Sequence, residues 1–332
     1  MSTLTQFDGS PDTGAAKLVN LQVSNWQNRT SAADNSWKAI AWNGTVFAAV
    51  SATGTGNRVM TSPDGITWTS RTSAADSSWT AIAWNGTVFA AVSNSGTGNR
   101  VMTSPDGITW TIRTSAADDN WQGIAWNGTV FAAVSYTGTV MTSPDGITWT
   151  TRTAAAANGW LGIAWNGTVF AVVAQTGTGN RVMTSPDGIT WTIRTSATNN
   201  DWADIAWNGT VFAAVAETGT GNQVMTSPDG ITWTSRTTPV NVVWQDIAWN
   251  GTVFAAVSST GTGNRVMTSP DGITWTSRTS AADNDWQGIT WNGLGTAPMY
   301  LLPAAGTGTV FAVVGNSGTG NRVMTSLFLK DE

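Results

Sequence analysis

One arrangement recurs seven times along this chain: an isolated Trp, then Ile-Ala-Trp or Ile-Thr-Trp, then Asn-Gly. The copies centre on Trp42, Trp84, Trp126, Trp165, Trp207, Trp249 and Trp291, at successive spacings of 42, 42, 39, 42, 42 and 42 residues. A fixed period of this size marks a repeat architecture, in which each unit cannot bury its apolar face alone and stacks on its neighbours.

The first copy reads SAADNSWKAIAWNGTVFAAVSATGTGNRVMTSPDGITWTSRT from Ser31 to Thr72 and separates into four extended segments. They begin at Trp37, Thr45, Arg58 and Ile66 and are rich in Val, Ile, Thr, Phe and Trp, residues that suit a pleated, packed surface. Asn43-Gly44 predicts a two-residue type I′ hairpin, because both residues tolerate positive φ. Thr53-Gly54-Thr55-Gly56-Asn57 predicts a longer loop, and Pro63-Asp64-Gly65 a tight turn. Four antiparallel strands repeated every 40–45 residues or so is the pattern of a β-propeller.

The two ends supply the blade count. Residues 23–30, VSNWQNRT, match only the fourth strand of a repeat, with Trp26 standing where Trp68 stands. The last copy runs to Ser326 and lacks the Pro-Asp-Gly-Ile-Thr-Trp strand. The N-terminal strand therefore completes the last blade, giving an all-β, seven-bladed propeller of four-stranded antiparallel blades. Residues 1–21 read as a polar arm and residues 22–332 as one propeller domain, with an insertion at 294–309 in the last blade.

The segment Ser62-Pro63-Asp64-Gly65-Ile66-Thr67-Trp68 recurs from Ser104, Ser143, Ser185, Ser227 and Ser269. It resembles the Asp-box of sialidase-type propellers, shorter by one residue. The resemblance, with its W…IAWNG…FAAVS…MTS frame, covers residues 23 to about 326. It implies a structural turn in which Asp64, Asp106, Asp145, Asp187, Asp229 and Asp271 accept backbone hydrogen bonds while the Trp packs between blades. It does not imply sialidase activity. That chemistry uses a Tyr nucleophile with a carboxylate and an Arg cluster, and this chain has two Tyr, Tyr136 and Tyr300, and two Glu, Glu217 and Glu332. The absence of His removes the commonest general base and zinc ligand. A pair of Asp could act as acid and base, but the sequence singles out no such pair. The reading is of a non-enzyme with no cofactor and no metal.

Net charge of −5 with only three Lys argues against nucleic acid. No apolar run approaches a membrane span, and the N-terminus lacks a secretory leader pattern. The absence of Cys excludes disulfides and leaves the compartment open. Twelve Arg fall in register, and pairing with the repeated Asp is their plain structural role. Asn-Gly-Thr forms sequons that the turn explains without a glycan.

Comparison of the copies with one another locates variation. It gathers around the first Trp (ADNS-W-KA, ADSS-W-TA, ADDN-W-QG, AANG-W-LG, TNND-W-AD, VNVV-W-QD, ADND-W-QG) and at Ala52, Asn94, Tyr136, Gln175, Glu217, Ser259 and Asn316. In a meander both regions emerge on one face, as recognition loops do. The candidate ligand-binding residues are accordingly Asp34, Asn35 and Trp37, Asp76 and Trp79, Asp118 and Trp121, Asn158 and Trp160, Asn200 and Trp202, Asn241 and Trp244, and Asp283 and Trp286, the Trp serving as stacking rings if open. The function expected is a lectin-like, multivalent binding or adhesion propeller for glycans or surfaces, at an extracellular or virion surface. The rival class is a structural or decoration component, for example of a phage particle, with a hydrolase third. A protein partner is expected through the N-terminal arm or the apolar stretch at 294–303, which carries Leu294, Met299, Tyr300, Leu301, Leu302 and Pro303.

Overall fold

The computed structural model describes residues 21–293 and 311–330; the expected arm (1–21, save its last residue) and the insertion at 294–309 lie outside them. The strands are numbered β1 to β28 in chain order and form seven four-stranded antiparallel sheets. Blade 1 is β2 (Trp37–Trp42), β3 (Phe47–Ser51), β4 (Val59–Ser62) and β5 (Thr69–Arg71), in that order. Five further blades repeat this plan. In the seventh, the order is β1-β28-β27-β26, with β1 (Leu21–Arg29), β28 (Val323–Lys330), β27 (Phe311–Gly315) and β26 (Trp286–Trp291). The N-terminal strand thus supplies the outer strand of the last blade, Trp26 lying opposite Ser326, and the ring closes as the sequence predicts.

Each blade is sandwiched by its neighbours. The Phe-Ala-Ala-Val-Ser and Val-Met-Thr-Ser strands are buried along their whole length, because alternate side chains face opposite seams. In blade 1, Phe47 and Ala49 join Trp37, Ile40, Met60 and Trp68 against Ala312, Val314 and Val323 of blade 7. Ala48 and Val50 face the other way, onto Trp79 and Phe89 of blade 2. Small Ala in the middle strand lets the sheets approach, and the large aromatics of the next blade fill the space.

The turns differ in detail from expectation. Trp42 pairs with Phe47, so the first hairpin has a four-residue connection rather than a two-residue type I′ turn. Asn43 Oδ1 accepts from the N–H groups of Thr45 at 2.9 Å and Val46 at 2.8 Å, which favours the wider loop. The fourth strand starts at Thr69 rather than Ile66, because Asp64 Oδ1 takes the N–H groups of Ile66 at 2.8 Å and Thr67 at 2.9 Å. Ser62 Oγ accepts from Gly65 N–H at 2.8 Å, and the Trp68 indole donates to Gly65 O at 2.9 Å. The same bonds recur at Asp106, Asp145, Asp187, Asp229 and Asp271.

Candidate functional site

The loops after β3 and before each inner strand meet on one face: Ala52 N–H donates to Ser36 O at 2.9 Å. There the expected ligand-binding residues are engaged with the protein itself. Asp34 accepts from Gly320 N–H at 2.7 Å, Asp76 from Gly56 at 2.7 Å, Asp118 from Gly98 at 2.5 Å, Asn241 from Gly221 at 2.6 Å and Asp283 from Gly263 at 2.7 Å. Each bond ties a blade-crossing connection to the loop of the preceding blade. Asn35, Asn158 and Asn200 donate to the carbonyls of Asn57, Asn180 and Asn222, each at 2.8 Å. The carboxylates of Asp34, Asp76, Asp118 and Asp283 remain at the surface beside Arg322, Arg58, Arg100 and Arg265.

The stacking rings are not open. Trp37, Trp79, Trp121, Trp160, Trp202, Trp244 and Trp286 are fully buried between blades, as a fixed register of large core aromatics demands, so none presents a face for stacking. The cause is local as well as tertiary. The Trp37 indole donates to the carbonyl of Ala33 at 3.0 Å, and five copies repeat the bond; only Trp244 lacks that partner. The Arg side chains pair with Asp in part: Arg58, Arg100, Arg181, Arg265 and Arg322 lie within 4.0 Å of Asp76, Asp118, Asp201, Asp283 and Asp34, whereas the Arg71 type does not reach the turn Asp. Arg58 folds over its own loop, donating to Gly54 O at 2.9 Å and Ala52 O at 2.6 Å, and lies 3.5 Å from Asp76 on the rim. Arg71 donates to Thr61 Oγ1 at 2.8 Å. The turn Asp are satisfied by backbone instead.

The open concavity is at the axis. The seven inner strands pack side by side around it, and each carries a β-bulge directly after its first Trp. A bulge re-aims its extra residue. Here those residues are Lys38, Thr80, Gln122, Leu161, Ala203, Gln245 and Gln287, and all seven line one cavity of about 390 Å³. Ala52, Asn94 and Glu217, from the loops after the second strands, line its mouth. The following position is held to Gly or Ala in five blades by crowding. A Cβ at Gly123 would lie 2.1 Å from Leu161 O, and one at Gly162 would lie 2.5 Å from Asp204 Cα.

Asp204 and Asp246 are the exceptions at that level, so the structure brings together an Asp pair that the sequence did not single out. Asp246 accepts from Ile247 N–H and from Ile289 N–H of the next blade, both at 2.7 Å, and Asp204 accepts from Ile247 N–H at 3.3 Å. Burial pushes both carboxyls up, and the charge of Asp246 pushes Asp204 further, well above the ordinary carboxylate range. Their oxygens are committed to neighbouring backbone, which stitches blades 5, 6 and 7 at the channel. Nearby, Glu217 accepts from Gln175 at 2.8 Å and Gln245 at 3.1 Å. Lys38 donates to Gln287 at 3.0 Å; burial lowers its pKa, opposed by Asp285.

Sequence reasoning recorded variation after the Trp but assigned function to the residues before it. The signal was the K, T, Q, L, A, Q, Q series itself, the most variable position of a strand whose two Trp and central Ile do not change. Among the described residues the opposite face is uniform, carrying the repeated Asn-Gly turns and the exposed Ile66, Ile108, Ile147, Ile189, Ile231 and Ile273. Among the described residues no three metal-ligating side chains come together, and no helix is long and apolar enough to cross a membrane.

The sequence matches no protein-family model and no curated protein. Solved structures match well in shape. A catalytically inactive virginiamycin B lyase from Staphylococcus aureus, crystallised with quinupristin, superposes with TM-score 0.75 at 9% identity, over 92% of this chain and 99% of that one. YCF48 bound to D1 peptide gives 0.66 at 14% identity, over 94% and 98%. A chain of the mitotic checkpoint complex gives 0.65 at 13%, over 100% and 99%. At these identities the likeness establishes the propeller fold alone.

Proposed function

We propose that this chain is a non-enzymatic recognition propeller whose ligand seats at the mouth of the central channel, on the face that carries the variable connections. One observation carries the reading. Two positions that vary among the copies meet at a single cavity: the bulge residue of all seven blades and, from three of them, the residue after the second strand. Variation at the wall of one concavity, on a scaffold whose turns and middle strands are copied nearly unchanged, is what ligand selection would leave. The site is one asymmetric mouth rather than seven equal clefts. The Asp-box-like turn enters this reading only as scaffold.

Catalysis is not part of the proposal. The chain has no His or Cys, and the one carboxyl pair spends its lone pairs on backbone N–H groups. The rival reading is an assembly or decoration component that takes a protein segment, in the manner that YCF48 is described with D1 peptide. The test treats both ligand classes alike. Wild type and a mouth-plugged variant, Ala52→Trp with Asn94→Trp, are immobilised and probed with an oligosaccharide panel and a random peptide library. Ligands retained by wild type and lost from the plugged variant support the mouth as the site. Ligands retained equally by both, or none retained by either, overturn it.

A further inference from the structure

Among seven near-identical seams, one departs at several positions at once. The third repeat shortens its loop to Tyr136-Thr137-Gly138-Thr139, which gives the single 39-residue spacing. Across that seam the fourth copy has Ala157 where the others have Asp or Asn, and Gly159 where the others have Ser, Asn, Asp or Val. These changes fit one another. A Cβ at Gly138 would lie 2.6 Å from Ala157 Cα, and a Cβ at Gly159 would lie 2.8 Å from the Tyr136 ring. The ring therefore lies against the backbone of Gly159, in space that any other residue would fill. Drift in a single loop does not produce matched changes on two blades.

Tyr136 is 38% exposed, and no other aromatic ring among the described residues is classed as exposed. Its N–H donates to Asn120 O at 2.8 Å, as those of Ala52, Asn94 and Glu217 do to Ser36, Ser78 and Asp201. Those three residues line the cavity, and Tyr136 holds the same position on its own blade, as Gln175, Ser259 and Asn316 do on theirs. Gln122 of the same blade lines the cavity, and the amide of Gln175 on the next blade is held by Glu217 at 2.8 Å.

We propose that Tyr136 is the stacking platform of a site for a neutral saccharide at the channel mouth; this rests on the channel-mouth reading above and names its ligand class. A ring backed on one face by glycine backbone and open on the other is pre-organised. Its electron-rich face attracts the weakly positive C–H groups of a pyranose. Planar amides and a carboxylate beside it offer the paired donors and acceptors that vicinal hydroxyls need. An apolar peptide anchor would require an apolar pocket, whereas the bulge residues around this mouth are mostly amides and a hydroxyl. An anionic sugar would meet Glu217 and the Asp204–Asp246 pair, and Lys38 is the one cationic side chain among the residues that line the cavity.

The test is saturation-transfer NMR and calorimetry with tetrasaccharides of glucose, mannose, xylose and N-acetylglucosamine, and with tetragalacturonate as the acidic probe. At least one neutral probe should bind, with the acidic one weaker. Tyr136→Ala should weaken binding tenfold or more, Tyr136→Phe less than threefold. Gly159→Ala, which touches no ligand, should weaken it by displacing the ring. Because Tyr136 is exposed, melting temperature should hold for the Ala variant, which separates loss of the platform from loss of fold. Neutral probes that fail to bind at millimolar concentration, or that bind Tyr136→Ala as well as wild type, overturn the proposal. If a peptide binds at the mouth while all saccharides fail, the ligand class falls and the channel-mouth reading stands; if nothing binds at the mouth, both fall.

Discussion

The carboxylate of Asp34 accepts a hydrogen bond of 2.7 Å from the backbone N–H of Gly320, 286 residues further along the chain. This is the same latch that joins Asp76 to Gly56 inside the array, used here to fasten the first blade to the last. Its acceptor need not be charged, since Asn199 and Asn241 serve Gly179 and Gly221 at 2.6 Å. Removing it leaves a loop N–H to solvent, so Asp34→Ala should cost about 1 kcal/mol, the net worth of a typical hydrogen bond. Asp34→Asn should cost less than half of that. Thermal denaturation of both variants against wild type checks the pair, and equal losses would mean that charge rather than geometry makes the latch.

Trp79 is fully buried among Ala48, Val50, Val59, Ile82, Phe89 and Met102, drawn from two blades. Trp79→Ala should therefore lose about 3–5 kcal/mol in urea unfolding, in line with other large-to-small changes in cores. A loss of about 0.5 kcal/mol, the scale of a surface change, would put this ring back among candidate ligand platforms.

The fold was legible because its evidence is repetition. Truncations at Val23 and Ser326 are complementary, and a closed ring is the arrangement that uses both. The candidate site was legible only in part. Variation after Trp37 and its equivalents is plain in the sequence, but the β-bulge that turns Lys38, Gln122 and Leu161 into the channel depends on how seven inner strands crowd one axis. That crowding is a property of the assembled ring. Trp37 shows the converse: it stands beside a variable loop, yet its fixed register is that of a core, and the sharing of one seam by two blades buries it. Tyr136 stood in the sequence as one of seven variable positions, and only the glycine beneath its ring sets it apart from the others.

The outer strand of blade 7 should be needed for solubility. Without β1, the edge of β28 from Val323 to Lys330 is unpaired, where Leu21 to Arg29 now lie in register along it. An unpaired edge is a template for association with other chains. Deletion of residues 1–30 should raise the aggregated fraction in size-exclusion chromatography and lower the melting temperature. A monomeric product with unchanged melting temperature would show that closure depends on the latches alone.

The Asp204–Asp246 pair makes a specific contribution to pH dependence. Both carboxyls are raised in the folded chain by burial, Asp204 further by its neighbour's charge. An unfolded Asp titrates near 3.9 or so. A group with a raised folded pKa is most favourable below the unfolded value. Its contribution is lost as pH rises through the interval up to the folded value, because the unfolded chain gives up its proton first. The turn carboxylates act in the opposite sense. For Asp145 and Asp187, backbone hydrogen bonds from Thr148 and Thr190 lead the causes that lower the pKa, so their stabilisation is present above about 3.9 and is lost as pH falls towards the folded values. Overall stability therefore mixes two opposing trends, and the pair is isolated by difference. Asp204→Asn keeps a hydrogen-bonding side chain at the channel and removes one of the two titrations. Relative to wild type, this variant should gain stability steadily as pH rises from 4 to 7 in urea titrations at fixed ionic strength. A difference that stays flat across that range would mean that burial does not hold the Asp204 carboxyl above its ordinary range and that the channel is wetter at this level than the packing of its inner strands implies.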